Sequence, residues 1–70
     1  MNFDKPIKQL ENTLALLQSE KDRLTDKLAK NIPTEDKNII KGRIIIVNQD
    51  IYSYTRSIQI LKVNQLTDTL

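Results

Sequence analysis

Lys30-Asn31-Ile32-Pro33-Thr34-Glu35-Asp36 is where this chain has to turn. Ile32 precedes a proline, and the clash between the proline ring and the preceding residue drives Ile32 out of helical geometry. Asn31 is one of the few residues that take a left-handed helix cap. On the far side, Thr34 is a good N-cap, and Glu35 and Asp36 place negative charge where a helix dipole favours it. The stretch therefore ends one helix and starts another within a few residues. A connection that short makes the two helices antiparallel neighbours.

Upstream, apolar residues fall at Ile7, Leu10, Leu14, Leu17, Leu24 and Leu28, three and four apart, with Lys21 filling the one gap. That spacing predicts a helix packed along its length against another. Pro6 suits the first turn, where its missing N–H leaves nothing unsatisfied. Lys27 and Lys30 put cations near the helix end. The other faces read as polar, through Gln9, Glu11, Asn12, Gln18, Glu20, Asp22, Arg23, Asp26 and Lys27. Downstream, Ile40, Ile44, Val47, Ile51, Tyr54, Ile58 and Leu61 continue the four-three alternation. The expected fold is all-α: an antiparallel, coiled-coil-like helical hairpin forming one domain over residues 1–70. Its first helix spans about 5–30, the turn 31–34, and the second helix about 35–66, with a frayed tail from Thr67.

One segment offers another reading. Residues 39–47, Ile-Ile-Lys-Gly-Arg-Ile-Ile-Ile-Val, are β-branched around Gly42 and resemble a β-hairpin turning at Lys41-Gly42. An isolated two-stranded hairpin is marginal in water, and the heptad phase passes through the segment unbroken, so helix is the reading adopted. Gly42 then marks either a close approach by another helix or a weak point.

The second helix carries more apolar side chains than one partner needs. Ile45, Tyr52, Ile60 and Val63 lie roughly opposite the inner seam, and Ile39, Ile46 and Leu66 widen the apolar surface at its sides. A helix apolar on most sides is usually covered on most sides. The expected partner is the chain itself, as a homodimer forming a four-helix bundle or a larger even-numbered homo-oligomer, with Ile45, Ile46, Tyr52, Ile60, Val63 and Leu66 at the interface. A different protein could occupy the same surface.

Composition points the same way. The chain has 70 residues, no Cys and no His, one Gly and a net charge of +2. So small a core usually needs a disulfide, a metal or an oligomer, and without Cys or His the oligomer remains. The same two absences remove the commonest catalytic base, nucleophile and metal ligands, so no enzyme activity and no cofactor are expected. The exposed acids Asp22 and Asp26, four apart, read as solubilising charge. Interspersed charges of both signs argue against a DNA-binding role. Residues 1–10 contain no apolar run of a signal peptide, and no segment approaches the roughly 20 apolar residues that span a bilayer. A cytoplasmic protein is the expectation. Abundant Ile, Asn and Lys fit AT-rich coding DNA, as in low-GC bacteria and their phages.

Several polar residues fall at positions where they can pair or bind. Lys21, inside the seam, should lie opposite Val47, either paired with Asp50 or with its stem packed and its amine in water. Arg43 should fall near Asp22 and Asp26, as a surface ion pair worth under about 1 kcal/mol. Asn48 to Ser57 gathers two Tyr, one Arg and several amides and hydroxyls. Tyr52 and Arg56, four apart on the outer face, can together stack on a base and hold a phosphate, which makes them candidate ligand-binding residues for a nucleotide. Lys8, Lys27, Lys30, Lys37, Lys41 and Arg43 support weak, salt-sensitive RNA binding. The leading expectation is a non-enzymatic oligomeric module that binds a protein as adaptor, inhibitor or structural piece. Nucleotide sequestration and RNA binding are the alternatives. In outline the hairpin resembles the plasmid-copy-number RNA-binding bundles and one helical-hairpin ribosomal protein, in architecture only, with no motif or residue carried across.

Overall fold

The computed structural model describes residues 3–68; residues 1, 2, 69 and 70 lie outside it. Two helices account for the chain between these limits, α1 from Asp4 to Leu28 and α2 from Thr34 to Asp68. Arg43 pairs with Glu20, Lys62 with Glu11 and Gln65 with Asp4, so partners move down α1 as they move up α2 and the helices are antiparallel. At about 1.5 Å per residue, α2 alone accounts for nearly all of the molecule's 55 Å length.

The turn forms without a left-handed residue, since no described residue has positive φ. Asn31 therefore does not take the left-handed cap that its type allows. Instead α1 tightens at its end. The Ala29 N–H is shared between the carbonyls of Thr25 (3.3 Å) and Asp26 (3.2 Å), and the Lys30 N–H donates to Lys27 (3.2 Å). These shorter-range bonds satisfy terminal carbonyls with the backbone still right-handed. Helix α1 thus stops at Leu28, with Lys27 in its last turn and Lys30 beyond it. On the other side the Lys37 N–H donates to the Pro33 carbonyl (3.1 Å). The proline's fixed φ is already near helical, so α2 begins one residue early and Thr34 lies in its first turn rather than as its cap.

Residues 39–47 are helical throughout, so the β-branched run around Gly42 makes no hairpin. A side chain added at Gly42 would meet no atom within 4 Å, so no close approach of α1 requires the glycine. Gly42→Ala should therefore stabilise the fold by about 1 kcal/mol, because the methyl group fits and the unfolded chain loses freedom. Thermal denaturation should show a midpoint higher by roughly 4–8 °C.

The core is one narrow seam. Ile7 and Leu24 of α1 and Val47 and Ile58 of α2 are buried. Leu10, Leu14, Leu17, Leu28, Ile40, Ile44, Ile51, Tyr54 and Leu61 are half-buried along the same line. Threonines on the helices satisfy their hydroxyls locally: Thr13, Thr25 and Thr67 donate to the carbonyls four residues back.

At the open end of the hairpin, the Gln65 side chain bridges the two helices. Phe3, which precedes α1, has no side-chain cap. Its N–H donates to Gln65 Oε1 (3.2 Å), and Gln65 Nε2 donates to Asp4 Oδ1 (2.9 Å). One amide thus serves an orphan N–H at the start of α1 and ties down the far end of α2. That tie holds α2 at Gln65, two residues before the point where the sequence pattern predicts fraying to begin. The helix continues through Thr67 to Asp68, and the rest of the expected frayed tail lies outside the described residues.

Candidate interaction surface

The two helices differ in how their apolar side chains are distributed. Those of α1 gather on one side, whereas those of α2 spread around its axis until its two faces nearly balance. One face of α2 meets α1. On the rest of its surface Ile39, Ile45, Ile46, Tyr52, Ile60, Val63 and Leu66 are each more than half exposed. Helix α1 contributes one such residue of its own. Leu16 is 71% exposed, so α1 is not polar everywhere outside its seam. At about 100° per residue Leu16 points to the side of the line through Leu14, Leu17 and Leu24. Its neighbour Leu17 already fills the seam, and the heptad pattern gives no reason to look for a second leucine there.

The hairpin is elongated, 55 × 15 × 12 Å, rather than globular. A compact chain of 8.1 kDa would have a radius of gyration near 11 Å and expose about 4,500 Å². This hairpin has a radius of gyration of 16.3 Å and exposes 5553 Å².

The two candidate ligand-binding residues are both exposed and both on this outer side, but they line different surface hollows. Tyr52 sits with Ile45, Asn48, Gln49 and Ser53. Arg56 sits with Gln59, Ile60, Val63 and Asn64. Both hollows are open, so a nucleotide resting there would keep much of its surface in water. Tyr54, by contrast, is half-buried on the inner seam. A third hollow lies beside the turn, where Lys27, Lys30 and Asp36 surround Ile32, Ile39 and Ile40.

Two polar expectations resolve differently. Arg43 reaches Glu20, not Asp22 or Asp26, with Nε 3.2 Å from Glu20 Oε1. Asp22 and Asp26 lie about 140° and 180° around α1 from Leu17 and so face away from α2, while Glu20 flanks the seam. Lys21 is half-buried, and among the described residues its amine pairs with no acid, Asp50 included. That leaves the expected Lys21–Asp50 pair unformed. A second, looser pair joins Lys62 to Glu11 at 3.9 Å, with both side chains about half in solvent. Such exposed pairs align the helices and add little stability.

Fold and surface together define a helical hairpin with one helix covered on one side only. No protein-family profile, curated protein or solved structure matches the chain. No helix among the described residues is long and apolar enough to cross a membrane.

Proposed function

We propose that this chain is a non-catalytic interaction module of the cytoplasm that works by association through the outer face of α2. One observation carries the reading. Ile45, Tyr52, Ile60, Val63 and Leu66 are exposed on the side of α2 that α1 leaves uncovered, although the helix already has a complete inner seam. At about 25 cal/mol per Å², leaving such side chains in water forgoes several kcal/mol that a covering partner would recover. Helix α1 acts as the shield for one face, and the surface opposite is where the module meets its partner. Assembly of hairpins into a four-helix arrangement is the simplest form this takes. Sequestering a nucleotide at Tyr52 and Arg56 is less well supported, because those side chains line separate open hollows.

The test compares the protein with its Ile45→Lys/Val63→Lys variant by light scattering and by capture of proteins from lysate. Both substituted positions are away from the α1 seam, so the variant keeps its hairpin, which circular dichroism would verify. Association, with itself or with another protein, is expected for the parent and lost in the variant. A parent chain that stays monomeric and captures nothing the variant does not would overturn the reading.

A further inference from the structure

Taking the outer face of α2 as the interaction surface, we propose that its occupant is a second copy of this chain, with the two α2 helices antiparallel across a two-fold axis beside residue 54.

Gly42, Ile45, Gln49, Tyr52, Arg56, Gln59, Val63 and Leu66 follow one another at alternating intervals of three and four and form an outer seam. All are exposed. A two-fold interface must be self-complementary, since residue i meets j and j meets i. The outer seam satisfies this when read inward from its two ends. Ile45 meets Val63 of the second copy, Gln49 meets Gln59 of the second copy, and Tyr52 meets Arg56 of the second copy. Each layer repeats on the other side of the axis. At the ends Leu66 meets Gly42 of the second copy, where open space surrounds the glycine. Apolar layers thus face apolar layers. The glutamines, each with both donor and acceptor, face each other. The Tyr52 ring faces a guanidinium, a pair that attracts across the ring face.

The flanks agree with this register. Ile46 lies beside Ile60 of the second copy, so the two exposed isoleucines next to the seam cover one another. Ser53 lies beside its own mate at the axis. Sliding the helices by one heptad spoils the match. In one direction Arg56 would stack on Ile45, and in the other Gln49 would meet Leu66, leaving polar groups against aliphatic ones. Charge permits the contact, because of the four charged residues between Gly42 and Leu66 (Arg43, Asp50, Arg56 and Lys62) only Arg56 lies on the seam itself, where it meets the Tyr52 ring. Leu16, on α1, is outside this interface.

The chain has no cysteine, so single-cysteine variants report the geometry cleanly. In this register two Ser53 residues meet at the axis, whereas two Asn64 residues are about 30 Å apart along it. With a short bismaleimide, Ser53→Cys should be trapped as a dimer and Asn64→Cys should not. Sedimentation should give a dimer for the parent and for Leu16→Lys. Ile45→Lys should raise the dissociation constant more than about a hundredfold, because the substitution is made twice in each interface. A monomeric parent overturns the second copy as occupant, and capture of a different protein through the same face would then leave the interaction reading standing. Equal cross-linking at Ser53→Cys and Asn64→Cys overturns the antiparallel register. A dimer unaffected by Ile45→Lys/Val63→Lys overturns both the proposal and the surface on which it rests.

Discussion

Val47→Asp should abolish the helical hairpin, and Ile46→Asp, one residue earlier, should leave its helices folded. Val47 is 4% exposed and Ile46 is 59% exposed. Replacing Val47 forfeits the burial of an aliphatic side chain, worth about 1.5 kcal/mol, and forces a carboxyl into the seam at a further cost of about 1–3 kcal/mol. A domain of this size seldom has more than about 3–5 kcal/mol of stability to lose. The narrow seam makes rescue difficult, since α1 offers no second layer to receive the displaced group. Circular dichroism at ambient temperature reads the result directly, as loss of the helical signal in Val47→Asp and its retention in Ile46→Asp. Equal behaviour of the two variants would mean that α2 presents a different face to α1.

Thermal stability should depend on protein concentration. If hairpins associate as proposed, unfolding separates two chains, and about a hundredfold dilution withdraws about 2.7 kcal/mol from each dimer. For a dimer of this combined length the melting midpoint should fall by roughly 5–10 °C. The Ile45→Lys/Val63→Lys variant should melt lower and at a midpoint that dilution does not move. A parent midpoint independent of concentration would mean that the lone seam of Ile7, Leu24, Val47 and Ile58 is sufficient for the fold.

Both expectations follow from features legible along the chain. Ile32-Pro33 forbids a continuous helix for steric reasons that need no tertiary context. The three-four spacing of apolar residues on each side is a property of the helix repeat itself. Together they specify two helices, a short turn and the antiparallel sense of packing. The surplus of apolar residues on α2 is legible for the same reason, because a period of 3.6 assigns every position to a side.

Other features depend on where each helix finally rests. Gln65 joins Phe3 and Asp4 across 62 and 61 positions of sequence, and nothing local marks that glutamine as a clasp. Arg43 selects Glu20 because the rotation of α1 about its axis carries Asp22 and Asp26 away from α2. The same rotation leaves Leu16 in solvent, although a leucine beside the seam could equally have been covered. Asn31 has the chemistry for a left-handed cap but does not use it, because i→i−3 bonds at Ala29 and Lys30 close α1 first. The sequence by itself determined that this protein is a hairpin of two helices with too much apolar surface on the second. Only the tertiary structure decided which polar groups meet and which apolar groups stay uncovered. Periodicity constrains the direction of a side chain to within a few tens of degrees, whereas a hydrogen bond or a buried contact is won or lost within an ångström.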